Sequence, residues 1–396
     1  MSFSIATSGL NAVTKQLGAI SNNIANGGTV GYKSMRAEFA SLYAGGQPLG
    51  VGVSNVSQSI GQTGNLVGSA KGLDLAIAGG GFFMLKDSSG NTSFTRAGYM
   101  QQDTQGFLTN NLGSRLQGYP VDANGQLQTG VISDIKIGAG SIPAKATDSL
   151  EFVANLNAKS EIPTKTPFDR DDKESYNNVY STKIYDSLGR EHNVEQYFAK
   201  TAEGEWEAHY FVDGNAATPA SSNITFDTNG VMQTPTGAVN IAYTPAGAAA
   251  LSIDLNYAGT SQYGTDFNVS KNNASGYAAG EKNGEQVDED GSIYATYSNG
   301  ERLLQGQLVL ANFTNLDGLE SMDGTSWQMT NQSGQPLLGT PQSGLNGGVK
   351  AYALEESNVD MTSELVGLMT AQRNYQANTK VISTNDQMMN SLFQAL

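Results

Sequence analysis

Few residues in this chain have the type and spacing to do chemistry. His192 and His209 are the only histidines among 396 residues. Both stand near carboxylates, but in separate strand-like segments without the close ligand spacing of a metal site. "VDEDGS" (287–292) is acidic enough for a calcium loop, yet it lacks the alternating ligands and the closing Glu, so it reads as a turn. "GGGFF" (79–83) has glycines but no phosphate-binding Lys followed by Ser or Thr, and reads as a tight β-turn. The acidic runs "DRDDKE" (169–174) and "EGEWE" (203–207) keep a paired-carboxylate glycosidase formally open. Solvated charge explains them better, and the two tryptophans, Trp206 and Trp327, are thin material for a sugar platform. There is no cysteine, hence no thiolate, disulfide or Cys nucleophile. No Ser–His–Asp set has support from spacing. The reading is a non-enzyme with no catalytic residue, no metal and no cofactor.

The regular spacing belongs instead to apolar residues at the two ends. Phe3, Leu10, Leu17 and Ile24 recur every seven residues, and Ala6, Val13 and Ile20 follow three behind the first three. This is a coiled-coil seam whose helix, over 3–26, carries one charge, Lys15. Gly27, Gly28 and Gly31 stop it. A second helix is predicted over 360–395, capped by Asp360 or Thr362. Met361, Leu368, Tyr375, Ile382, Met389 and Leu396 stand seven apart, with Leu365, Gln372, Thr379, Asp386 and Phe393 as the companion row. The two seams can bury each other as an antiparallel pair. The outer surface of that pair, poor in charge and dotted with Ile5, Val366, Met369 and Met388, is a poor face for water. It points to packing against further copies; a coiled coil internal to a monomer is the simpler alternative.

Between the helices the chain reads as strands and turns. "GLDLAIAGGGFFMLKD" (72–87) alternates and then turns, and short strands with Gly, Asn and Asp turns continue from it. Residues 151–290 hold 21 acidic and 9 basic residues, most of the chain's net charge of −15, with hairpin signals such as "DSLGR" and "DTNG". The expected fold is mainly β: two discontinuous all-β domains inserted between N- and C-terminal helices that pair as an α-helical coiled coil. The expected boundaries are 1–26 with 360–396 for the coiled coil, 27–70 with 351–359 for an extended linker, 71–145 with 284–350 for a flanking β domain, and 146–283 for an inserted acidic β domain.

The negative balance disfavours a nucleic-acid or anionic-membrane partner. No apolar run reaches the length of a membrane span, so no membrane insertion is expected. The N-terminus lacks the basic segment and continuous apolar core of a cleavable signal, so any export is expected to read it intact.

Several segments match a family. "SNNIANGGTVGYK" (21–33) resembles the N-terminal signature of bacterial flagellar rod and hook proteins, with Asn22, Asn23, Asn26, Gly31 and Tyr32 as motif residues. "SNVDMTSELVGLMTAQRNYQANTKVISTNDQMMNSLF" (357–393) resembles their C-terminal signature, including Asn358, Gln372, Arg373, Asn374 and Tyr375. "GLDLAIAGGGFF" (72–83), "FTRAGYM" (94–100) and "GQLVLANFTNLDGLE" (306–320) are similar to the β-domain motifs of the longer members. The large insertion favours the hook type over the shorter distal rod type.

The resemblance implies a homopolymer of many copies, a curved, flexible tube that transmits torque as a universal joint. The coiled coil would form its inner wall, the flanking β domain its middle layer and the acidic domain its surface. It implies as partners the distal rod protein, the hook–filament junction protein, the hook cap during assembly and the flagellar type III export apparatus, and an extracellular location. Gly27, Gly28 and Gly31 are the expected hinge between layers. Asn22, Asn23 and Asn26 are either ordinary cap and turn residues or amides that bridge subunits. Tyr375 packs in the seam or reaches a neighbouring subunit through its hydroxyl. Two alternatives stand beside this reading: a distal rod-type subunit with an inserted domain, and an extracellular adhesin on a coiled-coil stalk.

Overall fold

One turn chemistry recurs through the β regions. Asp87, Asp103, Asn110, Asp186 and Asp227 each open a five-residue turn in which the side-chain Oδ1 accepts the amides two and four residues on, at 2.8–3.0 Å. The glycine three residues on has φ between 78° and 91°, a conformation open to glycine at no steric cost. "VDEDGS" is one more hairpin turn, with Gly291 donating to the Asp288 carbonyl.

The computed structural model describes residues 2–44, 47–122, 125–138 and 140–395; the side chains of residues 2, 44, 48, 392, 393 and 395 lie outside that description. It is mainly β, flanked by two terminal helices, α1 (Ser2–Ala25) and α2 (Met361–Ala395). Two compact units form: Met1–Ala139 with Gly284–Thr296 and Arg302–Leu396, and Gly140–Asn283 with Tyr297–Glu301.

In the first unit, strands Arg302–Leu308, Arg115–Pro120, Phe82–Lys86, Thr92–Thr95 and Ser326–Gln328 lie side by side, all antiparallel. Phe82, Phe94, Phe313 and Trp327 meet edge to face over them with ring centroids 4.8–6.2 Å apart, the favoured aromatic geometry. The strands that lead to α2 pair with early ones: Gly348–Ala351 with Leu75–Ala78, and Ala353–Glu355 with Leu66–Gly68.

The second unit is one curled sheet in the order Asn178–Tyr185, Glu191–Ala202, Glu205–Val212, Asn215–Phe226, Val239–Tyr243, Leu251–Asn256, Ser149–Asn155 and Asn268–Ala274. Its first and last strands are joined by a hydrogen bond from Thr182 Oγ1 to Asn272 Oδ1 at 2.9 Å. Alternate residues point inward, and Phe152, Phe198, Trp206, Tyr210 and Tyr257 fill the core.

The stretch after α1 is more than the extended linker expected there. It contains a long antiparallel hairpin, β1 (Met35–Ala44) and β2 (Gln47–Gln58), with register shifts at Glu38/Phe39 and Leu42/Tyr43. The hairpin lies against α1. A Cβ at Gly50 would collide with Ser8, whose hydroxyl accepts the Val51 amide at 3.2 Å. Its far end is tied down by Gln58 Oε1, which accepts from Trp327 Nε1 at 2.9 Å and Ser321 Oγ at 2.8 Å.

Candidate functional site

The heptads bring α1 and α2 together as an antiparallel pair. Gly9 lies by Asn378, Ile20 by Gly367 and Gly27 by Met361. Val13, Ile20 and Ala371 are buried between the helices, with Leu17, Ile24 and Leu368 packed against them. Leu10 and Ile382 are half-buried. Phe3, Met361, Leu365, Tyr375 and Met389 are 41–50% exposed in the single chain. The side chain of Phe393 lies outside the described residues.

The companion row of α2 differs from the one expected. The residues turned toward α1 are Glu364, Ala371, Asn378 and Asn385; of the expected row, Leu365, Gln372 and Asp386 are exposed and Thr379 is half-buried. The physical reason is closeness. A Cβ on Gly9 would sit 2.9 Å from the Asn378 amide, and one on Gly367 would sit 3.5 Å from Ile20 Cδ1. Such an approach takes Ala and Gly at the contact and excludes a row containing Leu365. By the same spacing Ser2 stands level with Asn385, so residues 386–395 run on beyond α1 for about 15 Å.

The N-terminus of α2 is capped by Asp360. Its Oδ1 accepts the Thr362 and Ser363 amides at 2.9 and 3.2 Å, and its Oδ2 accepts the Ser363 hydroxyl at 2.9 Å. These bonds, the Ser363 amide first, hold its carboxyl below the usual range.

At the base of the helix pair the signature residues turn inward. Asn23 donates to Met35 O and to Glu364 Oε1, both at 2.8 Å, while its Oδ1 accepts from the Met35 amide at 2.7 Å and the Tyr32 hydroxyl at 3.1 Å. Both amide hydrogens and both lone pairs are used within one chain, so Asn23 has nothing left with which to bridge subunits. Burial, and then the Glu364 charge, push the Tyr32 phenol up. Asn358 bonds the Ser34 amide at 2.8 Å and the Ser59 and Gln62 carbonyls at 3.2 Å. Asn26 donates to Asn22 O at 2.9 Å, an ordinary helix end. Asn22, Asn26 and Thr29 line an open groove of about 710 Å³ with Met322 and Trp327 on its other wall.

Beside these bonds lies a cluster that sequence reasoning missed. Glu355 Oε1 accepts from Lys33 Nζ at 2.5 Å and from the Gly64 amide at 2.9 Å; its Oε2 accepts from Arg96 at 3.1 Å. The side chains of Lys33 and Glu355 are 0% exposed. Lys33 also donates to the Gln62 carbonyl at 2.6 Å. Burial pushes the Lys33 ammonium down, and Glu355 pulls it part of the way back. One carboxylate thus holds two cations from segments far apart in sequence. The only hint was the charge in "GYK" and "FTRAG", two segments otherwise poor in it.

The three hinge glycines divide. Gly31 has φ 72°, its amide donates to the Glu355 carbonyl at 2.8 Å, and a Cβ there would stand 2.6 Å from the Ala97 nitrogen. A Cβ on Gly27 would meet Met361 Sδ at 2.7 Å. Of the three, only Gly28 stands in open space. Gly31 is therefore a packed joint in the single chain. The other half of the C-terminal signature is open: Gln372, Arg373, Asn374 and Tyr375 are exposed, and Arg373 has no ion pair among the described residues.

Four family profiles match, in chain order: flagella basal body rod protein (3–33), flagellar hook protein FlgE/F/G D1 domain (76–151), flagellar basal body protein FlaE D2 domain (155–277) and flagellar basal body rod FlgEFG protein C-terminal (350–395). The class is the rod-and-hook proteins of the bacterial flagellum. The chain is 40% identical over 409 residues to flagellar hook protein FlgE of Salmonella typhimurium, covering 99% of each chain. It is 38% identical to that of Escherichia coli K12, again over 99% of each, and 30% identical to that of Brucella abortus over 97% of this chain and 96% of that one. The chain belongs to the flagellar hook protein FlgE family, whose members are structural subunits of the extracellular flagellar hook. The crystal structure of Helicobacter pylori flagellar hook protein FlgE2 shares the fold, with a TM-score of 0.54 at 15% identity, covering 73% of this chain and 100% of that one.

Proposed function

We propose that the chain polymerises through its helix pair into a curved, flexible tube that passes torque from rod to filament, and that its role is mechanical with no catalysis. The observation that carries this is the outward face of α1 and α2. Ile5, Leu365, Val366, Met369, Val381 and Met388 are exposed on a surface with few charges. Such a face gains from being covered, at about 1.5–3 kcal/mol per large apolar side chain fully buried. Copies of the same pair supply the cover, as an inner wall. The residue range 71–145 with 284–350 forms the middle layer, 146–283 presents acidic surface to water, and 27–70 with 351–359 connects.

The exposed Gln372–Tyr375 segment and the groove beside Asn22 and Asn26 serve contacts between subunits. The partners at the tube ends are the distal rod protein and the hook–filament junction protein, with the hook cap present during growth. The chain leaves the cell through the flagellar type III apparatus with its N-terminus intact.

The test is the double variant Leu365→Asp/Met369→Asp in the full chain. Both side chains are exposed, so the variant folds as the parent does by circular dichroism. Electron microscopy should then find no tubes, and cells carrying it should not swim. Tubes of normal length and curvature would overturn the inner-wall reading.

A further inference from the structure

One end of the second unit is held together by side chains around a single imidazole. The turn at Asp186–Arg190 joins the first two strands of the sheet, and the turn at Asp213–Gly214 joins the third to the fourth. His192 stands between them. Its Nδ1 is 2.5 Å from Asp213 Oδ2 and its Nε2 is 3.2 Å from Asp186 Oδ2. The Asp186 side chain is fully buried, while that of Asp213 is 38% exposed.

The other groups around the ring are accounted for. Arg190 Nε donates to Asp186 Oδ2 at 2.7 Å and its Nη2 to the Ala246 carbonyl at 2.9 Å. The Tyr243 ring lies 6.3 Å from the imidazole. Arg170 lies over Gly214, where a Cβ would stand 2.6 Å from its Nη1. Glu191 pairs with Lys183 at 3.2 Å.

A neutral imidazole carries one N–H and one lone pair. With a carboxylate oxygen facing each nitrogen, the neutral ring satisfies one partner and points its lone pair at the other. Only the imidazolium donates to both. We propose that His192 is a pH-operated pin, which in its protonated form ties the Asp186 and Asp213 turns together and on losing its proton releases the Asp213 turn.

The Asp213 carboxylate is the one released because it has fewer other donors, although the Asp213 amide still donates to the Asn193 carbonyl at 3.1 Å, so the turn loosens on a retained backbone bond. Asp186 keeps the Leu188 and Arg190 amides and the Arg190 guanidinium, whereas Asp213 keeps the Asn193 amide at 3.0 Å and is open to water. Burial by itself pushes the imidazole pKa down. Hydrogen bonds and charge from Asp213 and Asp186 outweigh it, and the net direction is up from the ordinary value. A folded pKa above the unfolded one means the tie is fully present below about pH 6.5 and is lost as pH rises through the folded value. This end of the unit is then stiffer in acid than in alkali.

The experiment is an NMR titration of the two imidazoles in the full chain between about pH 5 and pH 9, with hydrogen exchange over the same range. His209, whose pKa burial lowers, is the internal reference, and His192→Gln assigns the signals. His192 should titrate above about 6.5 and well above His209. Exchange at residues 213–215, corrected for its intrinsic pH dependence, should step up about tenfold across the His192 midpoint, and the Gln variant should lack the step. A midpoint at or below the ordinary value, or exchange without a step, overturns the proposal. If the Gln variant fails to fold, His209→Gln assigns the signals and the wild-type titration decides.

Discussion

The second unit and the terminal helix pair solve opposite problems. The curled sheet of the second unit is finished. Trp206, Tyr210, Tyr257, Phe152 and Phe198 are 0–1% exposed, and the Tyr257 hydroxyl has a partner inside the core in Gln196 Oε1 at 2.7 Å. The helix pair buries a small cluster of Val13, Ile20 and Ala371 between its members, and most of the described apolar residues of α2 stay outside. A sheet curled until its first and last strands meet buries its own apolar face, whereas two helices share one seam and, with the β1–β2 hairpin covering part of α1, leave much of the face of α2 uncovered. The difference separates what folds by itself from what is completed by assembly.

The sharpest way to break that comparison is to strike each region and look for damage in the other. The largest effect is expected from Glu355→Leu, which leaves Lys33 and Arg96 buried without their anion. Denaturant unfolding should show a loss of about 3–5 kcal/mol in the first unit and none in the second. Trp206→Ala should cost the second unit a similar amount, about 3–5 kcal/mol, while tubes still form under the electron microscope. Gly31→Ala should cost at least the roughly 1–2 kcal/mol of a left-handed backbone, with the Ala97 clash added. Gly28→Ala should leave unfolding midpoint, motility and curvature near those of the parent, because nothing stands within 4 Å of its Cβ position. Leu365→Ala should shift stability by no more than about 0.5 kcal/mol, yet slow assembly measured by light scattering.

A further small effect concerns the start of α2. The depressed carboxyl of Asp360 supports the helix above its ordinary pKa, and that support is lost as pH falls through the lower folded value. Far-UV circular dichroism should report a slight loss of helix in acid, which Asp360→Ala shows at every pH.

The two helices, their antiparallel pairing and the turn residues were legible because each follows from a local period: seven for the helices, Asp-x-x-Gly-x for the hairpins. The face of α2 was misread because the heptad rule selects large apolar residues, and this pair meets through Gly9, Gly367 and Ala371. The β1–β2 hairpin was hidden because it is ribbon-like, with Phe39, Leu42, Tyr43, Leu49 and Val56 exposed, so no strong alternation marks it. The Lys33–Glu355–Arg96 cluster was beyond reach, since its members are separated by 322 and 259 residues and no spacing rule spans that distance.

That cluster also sets a timetable. A chain delivered N-terminus first offers Lys33, Gly64 and Arg96 early, but their shared anion arrives only with residue 355, together with the strands that pair with Leu66–Gly68 and Leu75–Ala78. Until then the first unit holds two buried-to-be cations with nothing to neutralise them and two strands without partners. Closure of the first unit therefore waits for residues 348–355, close to the end of the polypeptide, whereas the second unit has all of its strands in hand well before then.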